Sequence, residues 1–243
     1  MNVRWISLIG AALLLSVASA SADDTLESVE KQVIAKWEKV TSMSAKMNMK
    51  SRAVMGPTSM STDMAGTIEM VKKDGKTMLR QEVESHSVMK SGETENKMDG
   101  KMVSVSDGET MLSITEQAGQ KMATRMRAQA GNVPGGKQLF DNLRANNELS
   151  LGDNAKLAGA KCWVVVAKAK TPNPAAPAKS LLYFRQSDGV MVKMEGSNAE
   201  GKTMNVMTME DIKLNQKIDP ARFKLEVPEG VQVMDMTGAG QKP

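Results

Sequence analysis

The side chains in this chain that could do chemistry are unevenly supplied: one histidine, His86, one cysteine, Cys162, and 22 methionines. A single imidazole leaves no histidine-rich metal site, and no HExxH, P-loop or GxSxG pattern occurs. A Ser-His-Asp triad would have to use His86, which sits in a polar stretch that reads as a solvated strand or turn. Glu82 with Glu84, or Asp107 with Glu109, could bring two carboxylates together. A charged strand face accounts for them better, because nothing near them resembles a sugar-stacking platform. Cys162 lies beside Trp163 in an apolar strand and reads as a buried thiol, and with no second cysteine it forms no internal disulfide. Neither an enzyme nor a resident cofactor is expected.

Methionine is what remains. Its flexible, polarisable thioether fills or lines adaptable apolar space and suits a soft ion such as Cu(I). Met47, Met49, Met70, Met78, Met191, Met194, Met204, Met207 and Met209 all fall on predicted strands. Residues i and i+2 of a strand point the same way. The pairs Met47/Met49 and Met234/Met236 could therefore chelate, whereas Met191/Met194 and Met204/Met207 could not. Three readings stay open: methionines that line an apolar cavity, methionines that fill a closed core, and a soft-metal site.

These side chains must be positioned by an all-β scaffold with two helices. Asp24 to about Ser42 predicts a helix, with Asp24 as N-cap, Glu27 completing a capping box, and Leu26, Val29, Val33, Trp37 and Val40 on one stripe. From Lys46 to Met55 the period changes to two, giving a strand that Gly56-Pro57 ends. Residues 58–65 read as a loop. Strands are expected near Thr67–Lys72, Lys76–Glu84, His86–Ser91, Asn96–Ser106 and Glu109–Thr115, with Lys73-Asp74-Gly75-Lys76 as a hairpin turn. Residues 117–135 are ambiguous: Met122 and Met126 suit a helix, and Gly131 to Gly136 reads as a flexible break. Lys137–Asn146 predicts a short helix with Leu139, Phe140 and Leu143 on one side. Strands then follow at about Glu148–Leu151, Lys161–Ala169, Ser180–Gln186, Val190–Gly196, Thr203–Leu214 and Phe223–Val227, with a bulge near Met207–Glu210. Thr171–Ala178 reads as an extended proline-rich loop.

The first 22 residues have the form of a cleavable secretory signal: Arg4, an apolar run from Ile6 to Val17 too short to span a bilayer, then Ala18-Ser19-Ala20-Ser21-Ala22. Its removal changes the net charge from +4 to +3, since Arg4 is the only charged residue lost. The remaining charges are interleaved, and aromatics make up 3% of the chain, so no nucleic-acid-binding stripe is expected. The expected domain covers residues 23–236, followed by a frayed tail, 237–243. The expected location is the periplasm, without a lipid anchor.

Asp211-Ile212-Lys213-Leu214-Asn215, the Asp219-Pro220 turn and Phe223-Lys224-Leu225-Glu226-Val227-Pro228-Glu229-Gly230-Val231 resemble the end of the LolA-like periplasmic outer-membrane lipoprotein carriers. Leu157 to Val165 resembles that superfamily's Gly-led central strand, and Asp107-Gly108 its earlier hairpin turn. The resemblance implies a strongly curved antiparallel sheet or half-open β-barrel, with the N-terminal and mid-chain helices as lids. It implies a carrier or chaperone that shields acyl chains or lipoproteins. It also implies an outer-membrane receptor or inner-membrane transporter as partner, acting on a monomer. The apolar cavity would be lined by Trp37, Val33, Met47, Met49, Met70, Met78, Phe140, Leu143, Val165, Phe184, Val192, Met194, Met204 and Val206. LolA-like carriers favour aromatic linings; here only Trp37, Trp163, Tyr183, Phe140, Phe184 and Phe223 follow the signal, a departure that allows a different apolar ligand or none. A LolA-like protein-interaction or sensor module is a further alternative.

Overall fold

The structure, a computed structural model, describes residues 24–128, 135–171 and 173–238. The expected signal and residues 239–243 of the tail lie outside them. Two antiparallel meanders are joined at one seam. The first is β1 (Ser42–Met55), β2 (Thr58–Lys73), β3 (Lys76–Ser91), β4 (Thr94–Ser106), β5 (Thr110–Gln117) and β6 (Gln120–Arg127). The second is β7 (Asn147–Leu157), β8 (Ala160–Ala169), β9 (Lys179–Arg185), β10 (Met191–Ser197) and β11 (Thr203–Leu214). β1 pairs with β11 from Met43↔Leu214 to Ser51↔Asn205. A short parallel strand, β12 (Val233–Asp235), caps the free side of β6. The result is one curved, unclosed 12-stranded sheet with edges β12 and β7.

The turns follow local chemistry. Asp74 and Gly75, Ala118 and Gly119, and Ala158 and Gly159 all have positive φ, as a two-residue hairpin turn matched to the twist of its strands requires. The stretch read as a loop, 58–65, is the start of β2: Thr58, Met60, Thr62 and Met64 alternate with Ser59, Ser61 and Asp63. Likewise the two strands expected between Lys76 and Ser91 are one, and the ambiguous region resolves into β6 over Gln120–Arg127, with 129–134 outside the described residues.

Helix α1 (Leu26–Glu38) is capped by Thr25, whose Oγ1 accepts from the Ser28 amide at 3.2 Å. The expected cap, Asp24, is instead used across space: it accepts a hydrogen bond from Trp163 Nε1 at 2.9 Å. Glu27 pairs with Lys31. Helix α2 (Lys137–Asn146) buries Phe140, which stacks on Phe184 with ring centroids 5.5 Å apart. Arg144 of α2 pairs with Glu30 of α1. Beneath the helices lie two apolar clusters. Val29, Val33, Phe140, Trp163, Val165, Leu182 and Phe184 form one; Trp37, Val40, Met43, Ile68, Met70 and Leu79 form the other.

The expected last strand, Phe223–Val227, is not a strand. Asp219 caps a 3-10 turn, Pro220–Phe223, by accepting from the Ala221 amide at 2.9 Å. The chain then crosses the side of the sheet away from the helices. Arg222 clamps it there, donating to Glu69 at 2.9 Å and Glu82 at 3.0 Å, while its carbonyl accepts from Arg80 Nη1 at 2.9 Å. Phe223 is buried and Leu225 and Val227 are half-buried. The alternation read from the sequence is real, but it serves packing on a sheet face rather than a hydrogen-bonded ladder.

Candidate ligand-binding face

Strand register sorts every paired residue onto one of two faces, because directly opposed residues share a side. From β1 to β6 the helix side carries Ala45, Met47, Met49, Ser51 and Ala53, then Met60, Thr62, Met64, Gly66 and Ile68. It continues through Val83, Ser85, Ser87 and Met89, then Met98, Gly100, Met102 and Ser104, to Ser113, Thr115, Met122 and Thr124. The only charged residue on this side of these six strands is Lys72, whose Nζ donates to Trp37 O at 2.7 Å beside the indole. The far side takes the charges, Lys46, Lys50, Arg52, Asp63, Glu82, Glu84, Lys97, Asp99, Lys101 and Glu116 among them, and also His86.

The helix side is also divided along the strands. Near α1 and α2 it is solid: Met43, Met70, Val165 and Phe184 are fully buried. Farther along β1–β5 it opens, with Met47, Met49, Met64 and Met102 half-buried and Met60, Met89 and Met98 between 38% and 46% exposed. A water-facing protein surface normally carries about a quarter or more charged residues, so an uncharged, partly exposed strand face of methionine, serine and threonine is unusual. Gly66 contributes to its shape. A Cβ there would lie 2.0 Å from Glu82 O, so only glycine lets β2 and β3 approach this closely.

The sequence-predicted lining residues divide accordingly. Val33, Phe140, Val165 and Phe184 are fully buried in the first cluster, with Leu143 against them; Trp37 and Met70 belong to the second. They fill space under the helices. Met47 and Met49 stand on the open part of the same side, while Met194, half-buried, packs against the first cluster beside Leu182. Met78 and Val206 point to the opposite side, since they pair with Val71 and Lys50. Val192 and Met204 sit at the two register shifts of β10, and Val192 borders a far-side hollow with Arg185 and Thr208. Met60, Met64, Met89, Met98 and Met102 are additions to the predicted set; the alternation of 58–64 is the signal that places Met60 and Met64.

The other reactive groups lie elsewhere. His86 meets Asp99 at 2.6 Å on the exposed far side, in a hollow of ≈ 1090 Å³ whose lining mixes Lys50, Asp63, Glu84 and Lys101 with Met49 and Met64. Cys162 is fully buried, and burial pushes its thiol above the ordinary range, the opposite of a reactive thiolate. No group of three or more His, Cys, Asp or Glu residues suited to a metal ion occurs among the described residues. No described helix is long and apolar enough to cross a membrane.

No family model and no curated protein matches the chain. Its structural neighbours include a LolA-superfamily protein. The chain is similar to an uncharacterized conserved protein from Thermus thermophilus, with a TM-score of 0.53 at 12% identity over 86% of this chain and 98% of that one. Lower on the scale are the LolA superfamily protein NE2245 from Nitrosomonas europaea (TM-score 0.31, 11% identity, 83% and 98% covered) and the Pseudomonas aeruginosa MucA/MucB complex structure (TM-score 0.41, 10% identity, 82% and 61% covered). What the Thermus thermophilus protein shares with the chain at 12% identity is the fold.

Proposed function

We propose that the chain binds and carries an apolar ligand, an acyl chain or the lipid-bearing end of a lipoprotein, on the open part of the helix side. This is also the role that the LolA-like sequence resemblance implies, and the periplasm is the compartment it implies. One observation carries the reading: across six strands, charge is confined to the far side while the helix side, Lys72 apart, is uncharged, methionine-rich and only half-covered. Such a face does not repel hydrocarbon by desolvating ions, and flexible thioethers can repack around chains of different length. Each ligand CH₂ removed from water there would contribute about 0.8 kcal/mol, so one or two acyl chains give useful affinity without a deep cavity.

A fluorescent fatty-acyl probe tests this. The wild-type chain should bind it, and native mass spectrometry of protein purified from cells should recover lipid. Met49→Glu or Met64→Glu should abolish binding by placing a carboxylate on the uncharged face. Val88→Glu, on the far side opposite Ser61 and Lys97, should not. Absence of both probe binding and bound lipid in the wild type would end the proposal, as would equal binding by the Met64→Glu variant.

A further inference from the structure

The register brings together thioethers that the sequence leaves far apart. Met194 of β10 is opposed to Met207 of β11. Met207 is opposed on its other side to Met49 of β1, and Met49 to Met64 of β2. Four methionines thus stand in one row across four neighbouring strands. One step along, Met47 is opposed to Met209, and i, i+2 geometry sets this pair on the same side. Directly opposed Cβ atoms are about 4.5–5.5 Å apart, and a methionine sulfur reaches two bonds farther through rotatable torsions. Sulfurs from Met207, Met49 and either Met194 or Met64 can therefore converge on one point above the sheet.

The surroundings select the kind of ion. The neighbours on this face are Ser51, Thr62, Gly66, Ser85 and Asn205, with no carboxylate or imidazole, so the site lacks the anionic oxygens that a divalent cation leans on, and thioethers outnumber the neutral oxygens around Met49 and Met207. Met49, Met64, Met194 and Met207 are half-buried and Met209 is buried; the site is partly shielded, yet open enough for an ion to enter. Neutral thioethers in a partly desolvated place suit a singly charged soft ion, for which the cost of leaving water is lowest and the affinity for sulfur highest. The M-x-M pair Met47/Met49, legible in the sequence, is one corner of this cluster. Met194 and Met207 enter through cross-strand pairing rather than through their M-x-x-M spacings.

We infer that the Met194–Met207–Met49–Met64 row, backed by Met47 and Met209, is a binding site for a monovalent soft metal ion, Cu(I) or its analogue Ag(I). The inference does not depend on the acyl-ligand reading. Anaerobic titration of the whole chain with Cu(I) against a competing chelator should show one tightly held ion per chain. X-ray absorption should show sulfur as its only neighbour. The variant Met49→Leu/Met64→Leu/Met207→Leu keeps volume and apolarity, so it should fold with an unchanged urea midpoint, while its Cu(I) affinity falls by at least about tenfold. Met111→Leu/Met126→Leu removes another opposed pair on the same side and should leave Cu(I) binding unchanged. A wild-type chain that loses Cu(I) to the chelator overturns the inference, as does a triple variant that binds as the wild type does. A wild-type chain that takes Cu(I) but neither binds the acyl probe nor carries lipid would overturn only the carrier reading.

Discussion

Phe140 is the residue through which the mid-chain helix is held. It is fully buried, stacked on Phe184 and surrounded by Val33 and Val165. Phe140→Ala should cost about 3–5 kcal/mol, the range for a fully buried aromatic, as measured by urea denaturation. Glu82 is a different kind of residue, because its effect depends on pH. The side-chain hydrogen bond from Arg80, with Arg222 nearby, holds its carboxyl below the ordinary 4.5. A carboxyl depressed in the folded state adds stability above its unfolded value and loses it as pH falls through the folded value. The stability gap between the wild type and Glu82→Gln should therefore be largest near about pH 7 and shrink at about pH 3. A gap that stayed constant with pH would show that Glu82 acts through packing alone.

At the scale of elements, the C-terminal segment after β11 behaves as a strap. It is held by Arg222 and by Phe223, which is 7% exposed, and it ends in a three-residue strand on β6. Few contacts secure it, so Phe223→Ala should release it locally. Limited proteolysis should then cut between residues 216 and 232 well before the sheet is attacked. Gly66→Ala should act on the sheet itself, since its Cβ would strike the Glu82 carbonyl of the next strand; a lowered melting temperature would register the forced shift. The elements are largely legible in the sequence because period-2 alternation and Asp-Gly turns are local signals: Met47–Ala53 and Lys73–Lys76 show them directly. The strap is not, because packing on a face and pairing in a ladder produce the same alternation. The methionine row is invisible there because Met49, Met64, Met194 and Met207 meet only through registers between distant strands, with a bulge at Ser44/Lys46 shifting one of them. The solid filling beneath the helices is equally hidden: the stripe of Val29, Val33 and Trp37 shows that α1 must be covered, not how completely.

Taken whole, the molecule is a sheet with unlike sides, one ionic and one almost free of charge. The strap covers part of the first, and the helices cover part of the second. Salt should therefore act mainly on the far side, where exposed pairs such as Lys101–Glu84 and Lys90–Glu95 lie, and such pairs contribute little each. Raising ionic strength from about 0.01 M to 1 M, which shortens the screening length about tenfold, should leave acyl-probe affinity undiminished. A marked loss of affinity would mean that the ligand is held by charge.

The seam between β1 and β11 governs how such a molecule can come into being. Synthesis runs from the N-terminus, so Met49 is made long before Met207, its partner across the seam. Until then the first meander has only hairpin neighbours, and its methionine side has neither the second meander nor α2 beside it. Pairings so distant along the chain are slow to form. The nascent protein therefore passes through an interval in which a half-sheet shows an adhesive surface to whatever is near.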